Sequence, residues 1–100
     1  MQKYEVKLYP RALRDLDDIY RYIFENLQAP ESAMRQLERL ENGILELESM
    51  PYRSAERKTG MYANRGYREL LIDNYIVIYK ILEEPEEVHV VTVQYYRRNF

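Results

Sequence analysis

Apolar residues recur along this chain with two different periods, and the periods divide it in half. Between Lys3 and Tyr9 polar and apolar positions alternate, with Tyr4, Val6 and Leu8 on one side, which predicts a strand. From Pro10 the spacing changes: Leu13, Leu16, Ile19, Tyr20, Ile23, Phe24 and Leu27 mark one stripe of a helix. Pro10 suits the first helical turn, where its fixed φ is preorganised and its missing N–H costs nothing. Pro30 opens a second helix in the same way, with Glu31 beside it to complement the helix dipole. There Ala33, Leu37, Leu40, Ile44 and Leu47 step by four, three, four and three. Gly43 weakens that helix, and close packing is the one reason available for it. Helices joined by so short a link lie antiparallel.

Pro51 ends the second helix, and residues 51–65 show no period and read as a loop. Three alternating runs follow, Gly66 to Ile72, Tyr75 to Leu82 and Val88 to Tyr96. Asp73-Asn74 makes a hairpin turn between the first two, and the acidic run from Glu83 to Glu87 a turn between the last two. The order is β-α-α-β-β-β. That predicts one α+β domain over residues 1–100, a helical hairpin packed on a mainly antiparallel four-stranded sheet.

Composition narrows the class. With 46% hydrophobic and 32% charged residues the chain is globular, and no apolar run approaches the ~20 residues of a membrane helix. The amino terminus carries no apolar leader pattern, so a cytoplasmic location without membrane attachment is the expectation. There is no cysteine, hence no disulfide framework and no thiolate. His89 is the single histidine and sits between Val88 and Val90 in a strand, where a half-buried, hydrogen-bonded side chain is the ordinary reading. No metal and no cofactor is expected. Ser32, Ser49 and Ser54 lack a nucleophile motif, and Gly43, Gly60 and Gly66 are too scattered for a phosphate loop.

The net charge of −2 conceals segregation. The helical region is acidic, whereas Arg53, Arg57, Lys58, Arg65 and Arg68 cluster between Pro51 and the next strand, and the chain ends on Arg97-Arg98-Asn99-Phe100. Eleven tyrosines accompany these bases. In an antiparallel meander Arg68 lies near Lys80, while Tyr95, Tyr96, Arg97 and Arg98 fall at the opposite end of the sheet. Arginine and tyrosine together suit a phosphate backbone or an acidic, disordered peptide; pairing with the acidic helices is the plainer use.

Three stretches carry a family likeness. They are Leu8 to Ile23 (LYPRALRDLDDIYRYI), Gly66 to Lys80 (GYRELLIDNYIVIYK) and Val88 to Asn99 (VHVVTVQYYRRN). In this order they resemble the opening strand and helix, the arginine-led hairpin with its Tyr-x-x-x-Tyr strand, and the closing strand of the RelE/ParE superfamily. These are toxins of type II toxin–antitoxin modules, also described as plasmid stabilisation toxins. The resemblance implies a growth inhibitor neutralised by a cognate antitoxin in a hetero-oligomer. RelE-type members cleave mRNA on the ribosome, and ParE-type members poison DNA gyrase. On the RelE-like reading Arg65 and Arg68 would clamp phosphate, and Tyr79, Lys80 or Tyr95 would move protons. On the ParE-like reading Arg68, Arg97 and Arg98 would contact the target, with Tyr95 and Tyr96 as aromatic support. Ile76 stands where the ribonuclease branch often has arginine, and the chain is acidic where that branch tends to be basic. Both departures favour the ParE-like branch. A relic that only binds an antitoxin is the third reading, so enzymatic activity stays open.

Overall fold

The computed structural model describes residues 3–26 and 30–96. Leu27, Arg97 and Arg98 of the sequence argument lie outside the described residues. The elements are β1 (Glu5–Leu8), α1 (Pro10–Asn26), α2 (Pro30–Leu45) with a 3-10 turn at Glu46–Glu48, β2 (Ala55–Glu56), β3 (Arg68–Ile72), β4 (Tyr75–Leu82) and β5 (Glu87–Tyr95). They form a five-stranded sheet in the order β1-β5-β4-β3-β2. β1 runs parallel to β5, and the other pairings are antiparallel. The sheet therefore has one strand more than the four expected. Ala55 and Glu56 pair with Glu69 and Arg68 inside the stretch that reads as a loop. Two residues are too few to display a period, so this strand leaves no pattern in the sequence.

The hairpin of helices lies on one face of the sheet. Ala12 and Leu16 of α1 and Leu40 and Ile44 of α2 meet Val77 and Tyr79 of β4 and Val88, Val90 and Val93 of β5. Burial of such aliphatic side chains, about 1.5–3 kcal/mol each, is what holds the layers together. Ile23, Ala33 and Leu37 make a smaller cluster that closes the far end of the hairpin. The buried face of α1 is narrower than its apolar stripe. Leu13, Tyr20 and Phe24 remain exposed, with the Tyr20 and Phe24 rings stacked 4.5 Å apart. Gly43 faces Ile72 of β3 so closely that a Cβ there would meet Cγ1 at 3.0 Å and Cδ1 nearer still, which accounts for the glycine.

β5 holds a bulge. Ile78 pairs with Thr92 but Tyr79 with Val90, so Val91 is the extra residue, and Val90 and Val93 can both face the core. β1 stops pairing at Val90, and α1 takes over that edge. The Asp15 carboxylate accepts hydrogen bonds from the Val93 amide (3.1 Å) and from the hydroxyl of fully buried Thr92.

Charged side chains fasten the turns. Arg39 and Gln36 of α2 donate to Asp73 at 2.7 and 2.9 Å, and the Arg39 bond, with lesser help from Gln36, holds the Asp73 carboxyl below its ordinary range. Glu83 accepts from the Tyr4 hydroxyl at 2.9 Å and from the Tyr52 hydroxyl. Glu87 lies 2.8 Å from His89 Nε2 and 2.9 Å from Lys7 Nζ, and these partners depress its pKa. The acidic turn thus works as a tie between β1, β4 and the stretch after Pro51. No helix among the described residues is long and apolar enough to cross a membrane.

Candidate functional site at two ends of one strand

β4 separates the predicted site residues into two groups. Arg68 pairs with Tyr79 and Tyr95 with Tyr75, so four residues of β4, about 13 Å at the usual strand rise, divide them.

At the first end Arg68 turns its guanidinium back into the fold. Nη2 donates to the Ser54 carbonyl, Cζ lies 5.2 Å from the centre of the Tyr52 ring, and Nε is buried with no partner among the described residues. Tyr79 is 0% exposed; its hydroxyl donates to the Pro51 carbonyl at 2.6 Å and is hydrogen-bonded to Ser54. Lys80 rests between two rings, 5.9 Å from Tyr67 and 6.0 Å from Tyr9. Tyr9 in turn bonds His89 Nδ1 at 2.9 Å, so both nitrogens of that ring are engaged. Arg65 is exposed and makes no ion pair among the described residues. Arg57, absent from the predicted set, is the deeply placed arginine here. It is 7% exposed, bound to Glu69 at 2.7 Å and to the Met61 carbonyl at 3.0 Å. Its hydrogen-bonded position on the sheet edge follows from β2, which the sequence did not announce.

At the other end Tyr95 and Tyr96 are exposed, Tyr96 by 55%. The Tyr96 amide donates to the Asn74 carbonyl at 2.6 Å, and the Tyr95 ring meets Tyr75 edge-on at 5.7 Å. Between them and α1 opens a cleft of about 500 Å³. Tyr75, Val93 and Ile23 line its buried part, and Asp18, Tyr22 and Gln36 stand on the helical side. Burial raises the Tyr75 pKa, with smaller contributions from Tyr95 and Tyr22. Asp18 and Tyr22 fall within the Leu8 to Ile23 stretch but are not among the predicted site residues. The signal was the spacing Asp15, Asp18, Tyr22, which puts three polar groups on one helix face beside the apolar stripe.

The arrangement offers a half-buried arginine and a buried, hydrogen-bonded tyrosine at one end and exposed aromatic surface with an open cleft at the other. Among the described residues no group of three histidine or carboxylate side chains is placed to hold a metal ion.

No curated protein is similar enough in sequence to match. Solved structures of similar shape include a chromosomal ParDE toxin–antitoxin system from P. aeruginosa, at a TM-score of 0.70 and 20% identity over 93% of this chain and 96% of that one. The toxin–antitoxin complex RelBE2 from Mycobacterium tuberculosis superposes at 0.68, with 22% identity over 95% and 93%. The isolated RelE toxin of E. coli follows at 0.60, with 19% identity over 96% and 87%. These likenesses are of fold, the RelE/ParE fold of two helices on a mixed sheet. Residues 6–100 match the model of the ParE toxin of the type II toxin–antitoxin system parDE, and the chain belongs to that family of toxins.

Proposed function

We propose that this chain is a cytoplasmic toxin that arrests growth by binding DNA gyrase, and that a cognate antitoxin neutralises it in a hetero-oligomer. One observation carries the choice of target. RNA cleavage needs a base and an acid flanking one phosphate, each within about 3 Å of the proton it moves. Here the Tyr79 hydroxyl is given to the Pro51 carbonyl, and Nη2 of Arg68 to the Ser54 carbonyl. Tyr95 sits at the opposite end of β4 from both. The exposed Tyr95 and Tyr96 rings, followed in sequence by Arg97 and Arg98, suit contact with a protein, where tyrosine and arginine supply much of the binding energy. The antitoxin has a fitting surface in the groove between the helices, formed by Leu13, Leu16, Tyr20, Leu37 and Leu40, into which an amphipathic helix can lay its apolar face. The RelE-like reading keeps one point in its favour, the placement of Arg65, Arg68 and Lys80 toward one end of the β3–β4 pair.

The test is a pair of assays on the purified chain, gyrase supercoiling and cleavage of a reporter mRNA on translating ribosomes. The expected result is inhibition in the first with intact mRNA in the second, and at least about tenfold weaker inhibition by Tyr95→Ala/Tyr96→Ala at unchanged melting temperature. Cut mRNA with undisturbed gyrase overturns the proposal.

A further inference from the structure

β5 is nine residues long, but β1 covers only its first part. Glu5 to Leu8 pair with Glu87 to Val90, and the Tyr9 amide donates to the Val90 carbonyl at 2.9 Å as the chain turns into α1 at Pro10. Further along the same edge the Val93 amide is taken by Asp15 at 3.1 Å. Backbone groups alternate in direction along a strand. The Tyr96 amide points across to the β3–β4 turn, where it donates to the Asn74 carbonyl at 2.6 Å. Gln94 and Tyr96 thus face β4, and the backbone groups of Val93 and Tyr95 face the opposite way. The Val93 carbonyl and the Tyr95 amide look out from the edge that β1 leaves, and neither makes a hydrogen bond among the described residues. Val93, Gln94 and Tyr95 line the cleft of about 500 Å³, together with Ile19 and Ile23 of α1 and Tyr75 of β4. The cleft is a strip of unpaired sheet edge beside buried apolar side chains.

We infer that this cleft receives a short extended segment of a protein partner, which adds to β5 as a strand along the line that β1 has left. Main-chain bonds supply the affinity in this mode of recognition, and alternate side chains supply the choice of partner. One residue lying opposite Gln94, in the parallel sense of β1, can donate to the Val93 carbonyl and accept from the Tyr95 amide. Every second side chain of the segment turns toward the apolar lining of the cleft, so the occupant alternates apolar and polar residues and has no proline at a paired position. The two outer edges of the sheet are poorer templates. β2 offers two residues, and β1 carries exposed Glu5 and Lys7, charges that discourage pairing. The inference needs neither gyrase nor the ribosome as the target, and it leaves the groove between the helices to the antitoxin.

The experiment is amide hydrogen exchange and titration, followed by NMR, on the whole isotopically labelled chain with the peptide acetyl-Ser-Val-Thr-Val-Ser-amide. In the free chain the Tyr95 amide should exchange at least about tenfold faster than that of Gln94, which is paired with β4. The peptide should give saturable shifts at the amides of Val93, Gln94 and Tyr95 and slow the exchange of Tyr95 at least about tenfold. The control is the same peptide N-methylated at its three central residues, which keeps the side chains and loses the donors. It should bind at least about tenfold more weakly. A Tyr95 amide already protected in the free chain overturns the inference, as does equal affinity for the methylated peptide. So does the absence of saturable shifts at about 10 mM peptide, or shifts at Ala55 and Glu56 instead, which would assign the strand to the β2 edge. Shifts of the Val93 to Tyr95 amides on concentrating the free protein would make a second copy the occupant and also overturn it.

Discussion

Tyr79→Phe separates a structural from a chemical use of the residue most deeply placed in the predicted site. The ring fills the core with 0% exposure, and Phe keeps that packing. What disappears is one hydroxyl, which donates to the Pro51 carbonyl at 2.6 Å and is hydrogen-bonded to Ser54. Losing the bond alone costs about 1 kcal/mol, and leaving the carbonyl of buried Pro51 without a donor adds about 1–2 kcal/mol. The total is about 1 kcal/mol if the Ser54 hydroxyl swings onto that carbonyl and about 3 kcal/mol if it does not. Repeating Tyr79→Phe in a Ser54→Ala background removes the escape and should give the upper figure. In urea, with a slope of about 1 kcal/mol/M for a chain of this size, the midpoint should fall by about 1–3 M, and Tm by roughly 10 °C. Growth inhibition measured at a temperature where the variant is folded should be kept. A midpoint within about 0.3 M of the parent, together with lost growth inhibition, would refute the reasoning, since the hydroxyl would then be working on a substrate instead of fastening the segment after Pro51.

Other consequences are as direct. Asp15→Ala strips the partner from the fully buried Thr92 hydroxyl and from the Val93 amide, and should cost about 2–4 kcal/mol in denaturant unfolding, with Asp15→Asn losing less. Gly43→Ala gains about 1 kcal/mol of helix propensity but drives its Cβ into Ile72, so it should be net destabilising by up to about 2 kcal/mol; adding Ile72→Val removes Cδ1 and should turn the same change favourable, as read by melting temperature. Glu87 and Asp73 have lowered pKa values in the folded chain, so their contribution is complete above the unfolded carboxylate range and is lost as pH falls below about 4. The urea midpoint should therefore drop on acidification through that window, and Asp73→Asn together with Glu87→Gln should flatten the profile.

The sequence was most legible where many residues repeat one instruction. The run Tyr75 to Leu82 appears as β4 with the same bounds, because eight residues of β-branched and aromatic character leave no helical alternative. Pro10 and Pro30 mark the first residues of both helices, since proline fixes φ there and lacks an N–H. β2 was invisible because its pairing is decided by Arg68 and Glu69 across the gap and not by its own two residues. The stripe of α1 overstated the core for a related reason. Leu13, Tyr20 and Phe24 satisfy the helical period but sit past the edge of what the sheet can cover. The division of the site was foreseeable from strand directions, which place Arg68 and Tyr95 at opposite ends. The fate of Arg68 was not, because its partner is a backbone carbonyl, at Ser54, and carbonyls carry no residue label. The cleft escaped for the same kind of reason, being assembled from α1, α2, the Asp73-Asn74 turn with the first residue of β4, and β5, which are separate places in the chain.

The pairing of β1 with β5 has a consequence for how the molecule comes into being. Glu5 lies beside Glu87, Val6 beside Val88, and Asp15 closes onto Thr92, so the first and last strands are neighbours in space although nearly the whole chain lies between them. Contacts of such high order slow folding, because the long loop must close before any reward is collected. During synthesis the constraint is sharper. A nascent chain short of residue 87 lacks the strand on which both β1 and β4 depend, and it cannot build the sheet however long the ribosome pauses. The helical hairpin, whose two helices are contiguous in sequence, can form early, but the surfaces around Tyr75 and Tyr95 exist only once residues 87–95 have been made. The complete sheet is thereby withheld until the residues of β5 have emerged.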